Sequence, residues 1–351
     1  AAGKKVIAFG AGEPDFNTPE PIVKAAIDAL RSGVTRYMPS SGTPEAREAI
    51  AHKLQTENNI ECSQANISIN AGAKMSINLA LMSILDAGKN QEVVVPTPAW
   101  VSYKPMIELA GGTMIEVPTS VDSSFKCTPE EIEAAITPRS RVLLLNTPSN
   151  PTGAVLSQNE IDEIGEVCER HDLWIVVDEV YADLTYGAPF CSPFDRPQLR
   201  HRTLAVSSIS KSHALPGFRA GWIASPLEVT QRLVLVAEAM LFGSQPFIED
   251  ALAVALSQRH PEVESLSAAF KDRAQQLVGA FEGSTAAKAR MPEGGMFIMV
   301  DIRETGMSGE EFAWMLLNDH DIVVMPGESF GTGGAGHIRL ALTNDVKILR
   351  E

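Results

Sequence analysis

Val142-Leu143-Leu144-Leu145 runs without polar interruption into Asn146-Thr147-Pro148-Ser149-Asn150-Pro151-Thr152-Gly153. Further along, Trp174-Ile175-Val176-Val177 runs the same way into Asp178-Glu179-Val180-Tyr181. Short apolar runs with no alternation suit strands buried on both faces. Working outward, residues 92–96, 113–117, 203–207 and 221–224 have the same character, and helix-like segments separate them. Strands alternating with helices predict a mostly parallel sheet, hence an α/β domain from about residue 71 to 225. Two of the helix starts, Thr128-Pro129-Glu130-Glu131 and Ser157-Gln158-Asn159-Glu160, read as capping boxes, in which a hydroxyl and a carboxylate satisfy orphan amides.

Beyond this region a long helical stretch, 227–258, is expected to kink or break around 243–246 and to lead into a smaller α+β unit. That unit carries helix-like 264–281, strand-like 296–301, 321–325 and 337–342, and a helix opening at Ser308-Gly309-Glu310-Glu311. Residues 189–202, with three prolines and little periodicity, read as a surface loop.

Composition narrows the function. The 351 residues, 44% of them hydrophobic, hold enough apolar material for a sizeable core. Lys plus Arg number 29 against 44 Asp plus Glu, a net charge of −15 that repels polyphosphates and anionic lipid, so nucleic acid is not an expected partner. The nearest two of the four cysteines, Cys168 and Cys191, stand 23 positions apart, which offers no metal or redox pair and fits a reducing cytoplasm. No metal site is expected. No apolar run approaches the roughly 20 residues of a membrane span. The opening Ala1-Ala2-Gly3-Lys4-Lys5 lacks the apolar core of a signal peptide and is expected to be a trimmed or partly ordered terminus.

Four segments interrupt the core pattern with chemistry, and ligand sites in open α/β sheets lie where they fall, beyond the carboxyl ends of strands. The turn around Asn150 is stiffened by two prolines and presents an amide with donors and an acceptor; read alone it is a loop or a site. Asp178 closes a buried strand, so its carboxylate needs a cation or strong donor, whether in a salt bridge, a helix cap or a reaction. In Ser208-Ile209-Ser210-Lys211-Ser212-His213 and Pro216-Gly217-Phe218-Arg219, hydroxyls, a lysine and an arginine converge in an acidic chain. That set suits a phosphate, and a desolvated lysine beside such a cation becomes a Schiff-base nucleophile. His213 reads as structural. Ala71-Gly72-Ala73-Lys74 opens a helix whose amides can approach an anion.

In this order and spacing the four segments resemble those of the fold type I pyridoxal-phosphate aminotransferases, class I/II. The matches are Asn150-Pro151-Thr152-Gly153, Asp178-Glu179-Val180-Tyr181, Ser208-x-Ser210-Lys211 and Gly217-Phe218-Arg219-Ala220-Gly221, and the resemblance covers nearly the whole chain. It implies a large cofactor-binding domain over residues 37–258 with a mostly parallel central sheet. A small α+β domain would be made from an N-terminal segment, 1–36, and residues 259–351. It makes pyridoxal 5'-phosphate the cofactor and Lys211 the residue that links it and shuttles the proton. Asp178 would face the ring nitrogen, Tyr181 and Asn150 the ring hydroxyl, and Trp100 the ring face, although Trp100 also reads as a core or interface aromatic. Gly72, Ala73, Ser208, Ser210 and Arg219 would hold the phosphate, with Lys74 beside them. Arg339, with Asn150, would clamp the substrate α-carboxylate, and Gly12, in Gly10-Ala11-Gly12-Glu13-Pro14-Asp15-Phe16, would close over it. Tyr37, in Arg36-Tyr37-Met38-Pro39, would reach the phosphate of a neighbouring subunit, which implies a homodimer with shared sites. Family members usually have residues before the Gly12 motif and a final helix after position 351, and the stretch 87–92 lacks the proline-glycine-acid turn common among them.

The substrate side chain is open. Lys74 falls where aspartate-type members place a lysine for a distal carboxylate, and it reads equally as a solvent lysine. Ser210-Lys211-Ser212-His213-Ala214, Gly294-Gly295-Met296-Phe297 and Gly336-His337-Ile338-Arg339-Leu340 look like arginine–pyruvate transaminases. A lyase of the same fold would keep Lys211 and Asp178. A noncatalytic regulator would need a DNA-binding module for which this acidic chain has no visible room.

Overall fold

The computed structural model describes residues 5–345, Lys347 and Ile348, so the expectations for residues 1–4 and for the last three positions lie outside the described residues. In chain order the elements begin with β1 (Ile7–Ala8), α1 (Glu20–Arg31), α2 (Pro44–Asn58), β2 (Ile67–Asn70), α3 (Ala73–Ile84), β3 (Glu92–Thr97) and α4 (Tyr103–Leu109). There follow β4 (Thr113–Pro118), α5 (Pro129–Ala135), β5 (Ser140–Asn146), α6 (Gln158–Arg170), β6 (Trp174–Asp178), β7 (Thr203–Ser208), α7 (Ile209–Ser212) and β8 (Gly221–Ala224). The remainder is α8 (Leu227–Leu241), α9 (Pro246–Ser257), α10 (Pro261–Ala280), β9 (Lys288–Ala289), β10 (Phe297–Asp301), α11 (Gly309–His320), β11 (Ile322–Val323), β12 (Met325–Pro326) and β13 (His337–Ala341).

Seven strands form the central sheet in the order β2-β8-β7-β6-β5-β3-β4. All its pairings are parallel except those of β8, which runs antiparallel to β7 and β2. The uninterrupted apolar runs explain themselves: Val142 and Leu144 of β5 enter the core under α3 and α4, while Leu143 and Leu145 enter the core on the other face. Each fully buried Leu or Val contributes on the order of 1.5–3 kcal/mol. Strand β2 has no counterpart in the sequence reading, because Ile67-Ser68-Ile69-Asn70 alternates polar and apolar residues although all four are buried.

The capping boxes form at Thr128, Ser157 and Ser308, each hydroxyl accepting from the amide three residues on. The long helix breaks where expected: Phe242 and Gly243 take positive φ, and Pro246 starts α9. Residues 189–202 form a loop with two short 3-10 turns.

A second sheet, β12-β13-β10-β9, is antiparallel and packs with α10 around Phe270, Phe297, Ile298, Val300 and Leu340. Its core also takes in Tyr181 and Leu184, from the loop that follows β6. The N-terminal segment is divided between a separate two-stranded parallel sheet and the helices of the larger core. β1 pairs with β11, whereas α1 packs on α9 and puts Ile22 and Ala26 into the core that holds Ile50 of α2. Between these anchors, Asp15 forms a two-point ion pair with Arg273 of α10, at 2.7 and 2.8 Å.

Candidate active site

A cavity of about 480 Å³ opens at the carboxyl ends of β5, β6 and β7, against β13 of the second sheet. Its lining includes Gly12, Ala73, Lys74, Trp100, Asn150, Asp178, Tyr181, Ser208, Ser210, Lys211, Arg219 and Arg339. Residues far apart in sequence meet there because each parallel strand delivers its C-terminal loop to the same edge. Gly72 lies directly behind the wall: a Cβ on it would fall 2.4 Å from an Arg219 guanidinium nitrogen, and its φ is +86°. Tyr37 is elsewhere, 90% exposed and tilted against Phe242 with the ring centroids 5.7 Å apart.

At the floor, Asp178 is buried at the end of β6. Its Oδ2 accepts from the Tyr103 hydroxyl at 2.8 Å and its Oδ1 from the Val180 amide at 3.2 Å. Burial pushes this carboxyl up to about 6, against the opposing pull of the Tyr103 and Val180 hydrogen bonds and the Lys211 charge. The Lys211 amine donates to the Gly12 carbonyl. Burial lowers its pKa; the charges of Glu13 and Asp178 oppose that shift, and those of Arg219 and Arg339 add to it. The amine is thus biased toward the neutral form a nucleophile needs.

One end of the cavity is a cradle for an anion. Ser208 caps α7, its Oγ accepting from the Ser210 amide, and both serines line the cavity beside Arg219. The N-terminus of α3 opens at the same place through Ala73, whereas the Gly72 amide donates to the Asn70 carbonyl at 2.7 Å. Opposite, Arg339 stands on β13 with its guanidinium 4.2 Å from the Phe297 ring centroid and 4.9 Å from that of Phe330. Its Nη1 donates to Asn150 Oδ1 at 3.0 Å and its Nη2 to the Gly10 carbonyl at 2.6 Å, while the buried Nε has no partner. Burial brings its pKa down to about 10, with the Tyr181 hydroxyl acting the other way. Asn150 also meets the Tyr181 hydroxyl, and Asn146 accepts from its backbone amide at 2.7 Å.

Residues 4–350 match the family described as aminotransferase class I and II. The chain belongs to that family. It is similar to the arginine–pyruvate transaminase of Pseudomonas aeruginosa, 38% identical over 99% of this chain and 88% of that protein. It is also similar to the aspartate aminotransferase of Musicola paradisiaca, 35% identical over 99% and 88%. Among solved structures, the aromatic aminotransferase of Pyrococcus horikoshii superposes with a TM-score of 0.95 at 34% identity, covering 100% of this chain and 94% of that one. The fold is the type I fold of the pyridoxal-phosphate enzymes, and the protein is a pyridoxal-phosphate-dependent aminotransferase.

The residues present fit that cofactor. Hydroxyls, a guanidinium and the N-terminus of α3 at Ala73 converge as a phosphate demands, and the Cβ-free Gly72 lets Arg219 lie against α3. An amine and a carboxylate for the aldehyde and ring nitrogen line the same cavity. The sequence reading assigned no role to Tyr103, Asn146, Phe297 or Phe330, all of which line it. Tyr103 carries a signal in hindsight, three positions after Trp100 and therefore one turn along. Phe297 and Phe330 read as core aromatics, and nothing in their spacing points to Arg339. His213 lies outside the cavity lining; it is buried, bonded to Ser212 and the Ala255 carbonyl, and burial lowers its pKa to about 4. Among the described residues no group of His, Cys, Asp and Glu is arranged for a metal ion, and no helix is long and apolar enough to cross a membrane.

Proposed function

We propose that this aminotransferase moves the amino group of an L-amino acid to a 2-oxo acid such as pyruvate or 2-oxoglutarate, in two successive half-reactions at this one cavity. Lys211 serves as cofactor-linking residue and proton carrier. The observation that supports this best is that Lys211, Asp178 and Arg339 line one cavity, with the charges of both Asp178 and Arg339 acting on the Lys211 amine. Bound pyridoxal 5'-phosphate supplies a ring that stabilises negative charge developing at the substrate Cα.

The side chains then divide the work. Asp178, ionised, keeps a proton on the ring nitrogen, and Tyr181 and Asn150 hydrogen-bond the ring hydroxyl oxygen. Gly72, Ala73, Ser208, Ser210 and Arg219 hold the phosphate, and Trp100 covers the ring face. Arg339, whose Nε lacks a partner, receives the α-carboxylate together with Asn150. Lys211 takes the Cα proton and returns it on the other side of the exchange. Gly12 closes over the substrate and excludes water; a Cβ there would fall 2.7 Å from Phe297, so the close approach requires glycine.

For the donor, likeness to the arginine–pyruvate transaminase of Pseudomonas aeruginosa favours an arginine-like amino acid. One observation favours an aspartate-like donor instead: Lys74 lines the cavity with its amine 5.0 Å from the Trp100 ring centroid, a cation left over for a second carboxylate. Either donor makes this an enzyme of amino acid metabolism. Mixing the holoenzyme with each amino acid, without acceptor, and following the cofactor absorbance decides between them. Bleaching by arginine and not aspartate supports the first reading, the reverse supports the second, and oxo acid released catalytically without acceptor would make the enzyme a lyase.

The working unit we infer is a cytoplasmic homodimer with shared sites. Tyr37 and Phe242, 90% and 61% exposed, with Leu241 and Met240 beside them, present an apolar patch of the kind a second copy covers. We also propose a large domain over residues 37–258 and a small one of 1–36 and 259–351, with α1 leaning on the large domain. Sedimentation of the holoenzyme, and loss of cofactor affinity in Tyr37→Phe, test the shared site.

A further inference from the structure

Tyr103 is buried, with 1% of its surface exposed, at the start of α4, and its hydroxyl reaches past the end of β5 to Asp178 on β6. We propose that Tyr103 is a positioning residue for the reaction, holding the Asp178 carboxylate ionised and aimed at the cofactor ring nitrogen. The proposal rests on the reading of Asp178 given above.

A buried phenol hydroxyl and a buried carboxylate are each costly alone, and here each satisfies the other. The Val180 amide takes one carboxylate oxygen and Tyr103 takes the second, so two donors on different elements fix the rotation of the group. The Tyr103 ring is itself held. It packs edge-on to Trp100 at 5.4 Å, its amide donates to the Trp100 carbonyl at 3.0 Å, and it belongs to the core with Val95 and Ile107. One turn of chain therefore sets both the wall that covers the ring and the floor beneath its nitrogen.

The groups facing Asp178 make such a donor necessary. Lys211 faces it from α7, Glu179 and Tyr181 flank it on its own loop, and Asn146 of β5 bonds only its backbone carbonyl. Lys211 changes its protonation during proton transfer, and Glu179 and Tyr181 offer no positive charge. Burial, reinforced by the Asp178 charge, raises the Tyr103 phenol well above its ordinary range, so its proton stays in place throughout. Tyr103 is thus a donor that does not titrate while the neighbouring cation does.

Tyr103→Phe removes the hydroxyl and keeps the ring. In apoprotein labelled at the aspartate carboxyl, infrared titration with Asp178→Asn as the blank should find the Asp178 midpoint moved up from about 6, by roughly one pH unit. The dissociation constant of pyridoxal 5'-phosphate should rise on the order of tenfold, and in the Asp178→Asn background the same change should have no further effect. An unmoved midpoint, or an equal loss of affinity in the Asp178→Asn background, overturns the proposal while leaving Asp178 in its role. Should Asp178→Asn itself bind cofactor like the wild type, the Asp178 reading fails and the proposal falls with it. If Tyr103→Phe does not fold, 3-fluorotyrosine at Tyr103 keeps the shape and strengthens the donor. The midpoint must then move down, and any other result overturns the proposal.

Discussion

The floor and the far wall of the cavity solve the burial of charge in opposite ways. On the parallel sheet, Asp178 has donors on both oxygens and Lys211 nearby, so its environment is complete without substrate. On the antiparallel sheet, Arg339 is packed between Phe297 and Phe330, with a buried Nε left unpartnered. An unsatisfied buried donor costs about 1–3 kcal/mol. A floor already satisfied suits a resident group, and a wall left short of an acceptor suits a carboxylate that comes and goes. In the function proposed above, this contrast would divide cofactor duties from substrate duties between the two sheets.

The largest effect should follow from the floor. Lys211→Ala should abolish transamination while the phosphate contacts still hold cofactor. Borohydride reduction and peptide mapping of the wild type check the assignment, and label on any other lysine would break the comparison at its root. Next, Asp178→Ala should retain the fold and lose about 3 kcal/mol or more of transition-state stabilisation, a hundredfold or greater fall in the half-reaction rate. Near-normal single turnovers would remove Asp178 from the floor's chemistry.

The wall should behave differently. Arg339→Lys keeps a charge and loses the planar fork, so KM for every amino and oxo acid should rise on the order of tenfold, with side-chain preference unchanged. Steady-state comparison across substrates would expose a selective loss, which would make Arg339 a side-chain contact.

The smallest effect belongs to a buried carboxylate outside both regions. Glu249 on α9 accepts from the Thr43 amide at 2.6 Å, has a second oxygen without a partner, and is pushed by burial up to about 7. A carboxyl raised in the folded state contributes stability that is full below its unfolded pKa and lost as pH rises through 7. Glu249→Gln should therefore raise Tm by a few degrees at pH 8, with the gain shrinking at pH 5 and activity unchanged. A change in turnover would show that raised carboxyls away from the cavity also serve the reaction.

Strand and helix order was legible because local rules write it. Apolar runs without alternation specify two-sided burial in β5 and β6, and capping boxes mark the starts of α5 and α6. The residues converging on the cavity were legible because the chemistry expected of a phosphate and a Schiff base restricts residue types, and each parallel strand must end at the same edge. Strand β2 was not legible, since its alternating polar and apolar residues are all buried and its place comes from pairing with β8. Nor were the partners of the charges. That Tyr103 meets Asp178, 75 positions away, or that two phenylalanines enclose Arg339, follows from how the sheets and their loops pack. Sequence by itself determined which groups could do the chemistry, because side-chain type is local. Tertiary structure alone decided which were satisfied and which left waiting for a ligand, because desolvation and hydrogen bonding depend on neighbours that the chain order does not name.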